Sequence, residues 1–290
     1  MKKIWYRPSS TENVWATIWK REFDETMGNT ERRTATMKRL QAEAIYLKIK
    51  EYFTPGQLVL EGGCGLGQWV YLLSEEGYRA VGVEYSDWAV GKITAVVPDL
   101  DVRQGDVLRL DFQDNYFDGY MSFGVVEHFQ SGPGEALKEA ERVLKPGGIL
   151  LLSFPYMNIV RRIVQPFLVF KETLEARRDG WEFYQYAYPA GEMKKHLSES
   201  GFDIIDEQLF SPLPFLIRAS LLRYIFNIFY RLLRGKQLTP GKLNIDNQAR
   251  RVGGGSVPMP QLEKRLRSIL CHPLVTMFFS HELLLVARKK

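Results

Sequence analysis

Residues 58–69 read LVLEGGCGLGQW, a short apolar run followed by an acid and then by glycines at alternate positions. The apolar run predicts a buried strand at 58–61, and the residues after the last glycine predict a helix. Ligands of open α/β sheets bind at such a turn, beyond the carboxyl end of the strand. Glycines there let the backbone approach a ligand, because a side chain would stand in the way. The stretch therefore predicts a ligand site at Glu61, Gly63, Gly65 and Gly67.

The spacing of these glycines disfavours a dinucleotide as the ligand. The dinucleotide fingerprint is Gly-x-Gly-x-x-Gly, and it requires glycine where Gln68 stands. The acid that precedes the turn, Glu61, also favours a ligand with a cationic part over a pyrophosphate, because opposite charges attract. An NAD-dependent oxidoreductase is therefore a disfavoured alternative.

Strand and helix patterns alternate along residues 55–210. The predicted strands are short and mostly apolar, and they cover 58–61, 79–84, 102–104, 117–123, 149–154 and 202–210. Predicted helices lie between them, and Ser86 is placed to cap one of these helices. This alternation predicts an α/β fold with a mostly parallel sheet and helices on both faces. Residues 281–288, which are apolar through 283–286, predict a last strand.

Three further candidate residues follow the predicted strands. Glu84 ends the second strand, where a carboxylate can accept both hydroxyls of a ribose. Asp106 follows the third strand and can accept from the exocyclic amine of an adenine, while Val107 packs on the ring. His128 follows the fourth strand, where it can act as a general base or only cap the local helix.

Taken in order, the glycine turn, Glu84, Asp106 and the sequence LKPGG at 144–148 resemble the class I S-adenosylmethionine-dependent methyltransferases, in the type 11/25-like group that acts on small molecules. The resemblance covers roughly residues 40–210 and the last strand, and Glu61 stands where the family usually has Asp. It implies a Rossmann-like fold whose final strand is antiparallel, with S-adenosyl-L-methionine as cofactor. The cofactor-binding residues that it implies are Glu61, Gly63, Gly65, Gly67, Glu84, Tyr85, Asp106, Val107, Phe123 and Gly124.

The implied reaction transfers a methyl group that the sulfonium already activates, so the enzyme chiefly needs to orient its reactants. We expect O-methylation of a small-molecule, glycan or lipid-like acceptor, with His128 as the base. Residues 122–125 lack the Asn/Asp-Pro-Pro-aromatic turn of base-amine methyltransferases, which disfavours a nucleobase amine as acceptor. Methylation of a 2′-hydroxyl or a ring carbon stays open, but we do not expect a nucleic acid partner. Some quinone O-methyltransferases hold a metal with two acids and a His, but here Gly124 replaces the first acid and only Glu127 and His128 remain, so we expect no metal. A non-catalytic membrane-associated or scaffold protein with this fold is the alternative of another class.

The charge of the chain is concentrated in one segment. The 290 residues carry a net charge of +5, yet residues 211–270 hold eleven Lys or Arg against two Asp or Glu. Within this segment, residues 213–234 combine an apolar helical surface with a narrow polar stripe that includes Arg223 and Arg231. This pattern indicates an anionic membrane surface as partner, a lid over the site or a homodimer contact.

The organisation of the chain follows from these patterns. Acceptor contacts are expected from the irregular parts, including Tyr156, Tyr184 and Tyr186. Two cysteines exclude a disulfide framework, and no signal peptide or apolar span is evident, so we expect a cytoplasmic protein, peripheral at the membrane if residues 213–234 bind lipid. The expected divisions are an N-terminal arm with a cap helix (1–54), a methyltransferase core (55–210), a basic helical insert (211–275) and the last strand (276–290).

Overall fold

The computed structural model describes residues 3–8, 19–20, 22–159, 161–163, 181–210, 280 and 282–290. The predicted insert at 211–275, including the amphipathic segment 213–234, lies outside the described residues.

Seven strands form one sheet: β2 (Leu58–Gly62), β3 (Arg79–Glu84), β4 (Val102–Gln104), β5 (Phe117–Phe123), β6 (Leu144–Pro155), β8 (Phe202–Phe210) and β9 (Glu282–Lys289). Their order in the sheet is β4-β3-β2-β5-β6-β9-β8. Strands β2 to β6 pair in parallel, whereas β9 is antiparallel to both of its neighbours, β6 and β8. The expected parallel sheet with a final antiparallel strand is thus confirmed.

Helices cover both faces of this sheet, as expected. Alternate side chains of a strand point to opposite faces, so Leu60 packs with one buried cluster and its neighbour Val59 with another. Helices with defined bounds include α1 (Thr30–Gln41), α2 (Ala44–Tyr52), α3 (Gln68–Glu75), α4 (Asp87–Val96), α5 (Gly134–Val143) and α6 (Ala190–Glu199). The cluster of Leu60 includes residues of α5 and α6, and that of Val59 includes residues of α1 to α4.

The helix caps explain where two of these elements begin. Ser86 accepts the N–H of Ala89 at the start of α4, which confirms the predicted cap. The helix α3 begins after Gly67, whose backbone is left-handed with φ of +66°. No helix in the described part of the chain is long and apolar enough to cross a membrane.

A second, two-stranded sheet pairs β1 (Lys3–Pro8) with β7 (Trp181–Ala187) in antiparallel register. The sequence interpretation that Tyr184 and Tyr186 belong to an irregular segment is therefore wrong. The segment WEFYQYA is rich in residues that favour strands. Its partner strand lies far away in the sequence, in the arm where no strand was predicted.

Candidate functional site

The glycine turn lies where the order of the sheet reverses. The strand β2 stands between β3 and β5, and the chain leaves its carboxyl end through Gly63, Gly65 and Gly67, all with positive φ. The N–H groups of Gly63 and Cys64 both donate to the carbonyl oxygen of Val83, at 2.8 and 3.0 Å. These bonds fix the turn against the end of β3, at the crevice where open α/β sheets bind ligands.

The three positions require glycine for different physical reasons. A Cβ atom at Gly63 would stand 2.5 Å from Cγ2 of Val125, and one at Gly65 would stand 3.0 Å from the ring of Trp19. At Gly67, a Cβ would instead meet side chains of the core beneath the turn. The left-handed backbone excludes most other residues at Gly67. Gly63 and Gly65 therefore let Val125 and Trp19 lie close to the backbone of the turn, whereas Gly67 shapes the start of α3.

The carboxylate of Glu84 ties the turn to the end of β3. Its Oε2 accepts the N–H of Gly65 at 2.9 Å, and its Oε1 accepts the N–H of Ser86 at 3.0 Å. Burial raises the pKa of Glu84, while the N–H groups of Ser86, Gly65 and Tyr85 act in the opposite direction. A carboxylate oxygen has two lone pairs. Each oxygen of Glu84 can therefore accept a further hydroxyl from a ligand.

Glu61 lies at the end of β2, directly before the turn, and only 4% of its surface is exposed. Its Oε2 atom has no hydrogen-bond partner in the described part of the chain. Burial raises the pKa of Glu61 well above its usual range, and the negative charge of Glu84 adds to this rise. A buried acceptor of this kind is costly unless something binds it. The ammonium group of S-adenosylmethionine would satisfy Glu61, so the residues of the turn fit that cofactor.

The predicted adenine contacts lie at the ends of the neighbouring strands. Oδ1 of Asp106 accepts the N–H of Leu108 at 2.9 Å, which leaves Oδ2 for another donor. Val107 is buried in the cluster that contains Val83 and Tyr120. By contrast, 78% of the surface of Tyr85 is exposed, directly after Glu84.

Phe123 and Gly124 end β5 on the other side of the turn. The ring of Phe123 packs edge-on against Trp69, with 6.0 Å between the ring centroids. Gly124 is exposed, has φ of +71° and donates its N–H to the carbonyl oxygen of Ser153 at 3.2 Å. The carboxyl ends of β2 and β5 thus lie on either side of the crevice.

His128 is held by the strand β7. Its Nδ1 atom lies 2.8 Å from the carbonyl oxygen of Tyr184, and the two side-chain rings meet edge to face at 4.9 Å. Because a carbonyl oxygen can only accept, Nδ1 must carry a proton. A neutral His128 therefore keeps its lone pair on Nε2, the arrangement that a general base requires.

The three tyrosines predicted to contact the acceptor gather around this strand. Tyr184 lies on β7 beside His128, and the hydroxyl of Tyr186 donates to the carbonyl oxygen of Gln130 at 3.1 Å. Tyr156, which follows β6, forms an isolated bridge with Tyr188 at the other end of β7. The structure thus brings the tyrosines together around β7 and the end of β6.

Glu127 lies at the candidate site, and the sequence had suggested a role for it only as a metal ligand. The side chain is buried, and its Oε2 lacks a hydrogen-bond partner among the residues that the structure describes. Its Oε1 lies 3.6 Å from the place where a Cβ of Gly124 would stand. Burial raises the pKa of Glu127 to about 8, and the charge of Glu282 adds to the effect. Nothing in the sequence of residues 122–129 indicates that the side chain of Glu127 is buried.

Arg161 is a charged side chain close to these tyrosines, and the sequence did not reveal that it is buried. Its Nη1 donates to the carbonyl oxygen of Tyr156 at 2.7 Å. Burial lowers the pKa of Arg161 to about 10, against the opposing influence of Glu282. Arg161 thus holds the backbone of Tyr156.

Comparison with known proteins agrees with this geometry. Residues 60–152 match the family described as a methyltransferase domain (Methyltransf_11). A probable S-adenosylmethionine-dependent methyltransferase of Mycolicibacterium smegmatis is 33% identical over 113 residues, which are 39% of this chain and 43% of that protein. Demethylmenaquinone methyltransferase of Staphylococcus aureus is 28% identical over 165 residues, 51% of this chain and 68% of that protein. The chain thus spans less than half the length of the first of these relatives.

Solved structures share the fold. An S-adenosylmethionine-dependent methyltransferase of Mesorhizobium loti has a TM-score of 0.52 and 16% identity, covering 86% of this chain and 100% of that one. A second, from Archaeoglobus fulgidus, has a TM-score of 0.52 and 15% identity, covering 89% of this chain and 94% of that one. At this level of identity the likeness concerns the fold.

Proposed function

We propose that this chain, in which residues 60–152 form a domain of the class I S-adenosylmethionine-dependent methyltransferase superfamily, transfers a methyl group to a hydroxyl of a small-molecule, glycan or lipid-like acceptor. The observation that carries the proposal is the glycine turn, which the Glu84 carboxylate ties to β3 beside the buried Oε2 of Glu61, an atom that has no hydrogen-bond partner among the described residues. When bound, S-adenosylmethionine supplies a methyl group activated on a sulfonium.

The residues of the crevice would hold the cofactor by complementary hydrogen bonds. Glu61 would accept from its ammonium group, and the free lone pairs of Glu84 would accept from its ribose hydroxyls. The backbone at Gly63 and Gly65 would lie against the ligand because nothing projects from it. Asp106 with Val107, and the exposed ring of Tyr85, would contact the adenine, while Phe123 and Gly124 would lie near the reacting centre.

On the acceptor side, His128 would receive the hydroxyl proton on Nε2. The hydrogen bond between Nδ1 and the carbonyl oxygen of Tyr184 supports this role, because it sets both the tautomer and the direction of the ring. Tyr156, Tyr184 and Tyr186 would supply apolar surface for the acceptor, with hydroxyl groups at its edge.

Release of S-adenosylhomocysteine tests this proposal directly. The purified chain is incubated with S-adenosylmethionine and fractions of small-molecule, glycan and lipid extracts. We expect at least one fraction to stimulate release, and we expect His128→Asn to abolish that stimulation. Cofactor binding without stimulation by any fraction would instead support the alternative of a non-catalytic protein.

We further propose that residues 213–234 contact an anionic membrane surface and that the protein is cytoplasmic and peripheral. The support is the sequence pattern of an apolar helical surface with arginines along one stripe. Flotation with anionic liposomes should occur at low salt and weaken at high salt. Flotation that persists unchanged after Arg223→Glu plus Arg231→Glu would contradict this, and a concentration-dependent dimer in solution would support the homodimer contact instead.

A further inference from the structure

An N-terminal segment lies directly on the glycine turn. Three ring carbons of Trp19 stand 3.0 to 3.5 Å from the place where a Cβ of Gly65 would be. Phe23 and Met27 follow Trp19 at helical spacing, and both are buried in a cluster with Leu66, which belongs to the turn itself. We call residues 19–20 and 22–28 the Trp19 segment. Its apolar side therefore packs on the turn next to the candidate cofactor site.

Polar contacts from the first residue of α3 fix the position of this segment. The Nε2 atom of Gln68 donates to Oγ1 of Thr26 at 3.1 Å and to Oε1 of Glu22 at 3.3 Å. Thr26 is itself buried and donates to the carbonyl oxygen of Glu22 at 2.7 Å. Gln68 occupies the position at which a dinucleotide turn would need glycine. In this chain that position attaches the Trp19 segment to the site.

We infer that Trp19 is a further cofactor-binding residue, which forms the outer wall of the crevice over Gly65, and that Gln68 is the positioning residue for it. The inference rests on the proposed function. Its physical basis is a pair of acids at this turn: Glu61 directly precedes it, and Glu84 accepts the N–H of Gly65 within it. An apolar ring over the turn excludes water, and hydrogen bonds to these carboxylates become stronger where water is excluded. The two flanks of the site are then Trp19 on one side and Val125 on the other.

Calorimetric titration of the purified full-length protein with S-adenosylhomocysteine tests the inference. We expect Trp19→Ala to weaken binding by about tenfold, and Trp19→Phe to weaken it less, because phenylalanine keeps part of the apolar cover. Gln68→Ala should weaken binding about threefold or more, because it frees the segment that carries Trp19. Gln41→Ala is the matched control, since Gln41 makes its side-chain hydrogen bond to Glu76 instead, and it should leave binding unchanged.

Tryptophan fluorescence gives a second readout that does not depend on affinity. The emission of the wild-type protein should change when ligand binds, and Trp19→Phe should remove most of this change. Trp19→Ala that binds as tightly as the wild type, or a ligand-induced change that is as large in Trp19→Phe as in the wild type, would overturn the inference. If Trp19→Ala does not fold, then normal binding by a folded Gln68→Ala variant would overturn it. A wild-type protein that binds neither S-adenosylmethionine nor S-adenosylhomocysteine would instead overturn the proposed function.

Discussion

The carboxylate of Glu84 accepts the backbone N–H of Gly65 at 2.9 Å, so a side chain at the end of one strand fixes the turn that follows its neighbour. The same carboxylate accepts the N–H of Ser86, at the residue that caps α4. One buried acid thus joins the starts of α3 and α4 around the crevice, and it organises the site before any ligand is bound.

Substitution of Glu84 should therefore affect both the turn and the ligand. In Glu84→Gln, the amide nitrogen cannot accept, so either Gly65 or Ser86 loses its acceptor. We expect a loss of about 1–3 kcal/mol in the free energy of unfolding and at least tenfold weaker binding of S-adenosylhomocysteine, whereas Glu84→Ala should abolish binding. Denaturant unfolding and calorimetry measure the two effects. The exposed Glu75→Gln variant serves as control, and wild-type affinity in Glu84→Gln would refute the assigned role.

The turn should not tolerate a side chain at Gly63. Alanine there would adopt a left-handed backbone and would place its Cβ 2.5 Å from Val125. The backbone alone costs about 1–2 kcal/mol, so we expect Gly63→Ala to lower the free energy of unfolding by more than this. Adding Val125→Ala should recover the steric part of the loss but not the backbone part. Gly91→Ala, in open space on α4, is the control and should be neutral or stabilising.

Two substitutions of His128 separate the effect of its hydrogen bond to Tyr184 from its action as a base. The amide nitrogen of asparagine can replace Nδ1 and keep the bond to the carbonyl oxygen of Tyr184, but His128→Asn has no group at the place of Nε2. We expect kcat to fall by about 10² to 10⁴, the usual contribution of a general base, with little change in the acceptor KM. The pH profile of kcat should also lose its acidic limb. Unchanged kcat in His128→Asn, with a loss only in His128→Gln, would show that His128 is a positioning residue.

Glu127 should make the stability of the fold depend on pH. Burial raises the pKa of Glu127 from 4.5 to about 8, so the folded protein holds this proton more tightly than the unfolded chain does. This contribution is fully present below pH 4.5 and is lost as the pH rises towards 8, with a slope of up to about 1.4 kcal/mol per pH unit. Glu127→Gln keeps a neutral side chain at every pH. Its stability relative to wild type should therefore increase across this range, and a constant difference would contradict the prediction.

Much of the fold could be predicted from the sequence because its signals are local. The strands at 79–84, 102–104, 117–123 and 202–210 match their predicted bounds, since short apolar runs between turn residues leave few alternatives. Pairing of β1 with β7 could not be predicted in this way, because it joins two aromatic segments that lie far apart in the chain.

The candidate site shows the same division between local and distant signals. Glycine spacing and strand ends indicated the turn, Glu61 and Glu84. The contacts of Trp19 with Gly65 and of Gln68 with Thr26 depend on how an N-terminal segment folds back on the sheet. Likewise, the raised pKa of Glu127 depends in part on the charge of Glu282, which β9 brings from a distant part of the chain. These features appear only in three dimensions.

The proposed binding of S-adenosylmethionine in the crevice at the glycine turn can be measured by titrating the purified protein with S-adenosylmethionine and, separately, with NADH. We predict saturable binding of S-adenosylmethionine at one site per chain, lost in Glu84→Ala, and no binding of NADH. Absence of S-adenosylmethionine binding by the folded wild-type protein, or binding of NADH at this site instead, would contradict the claim.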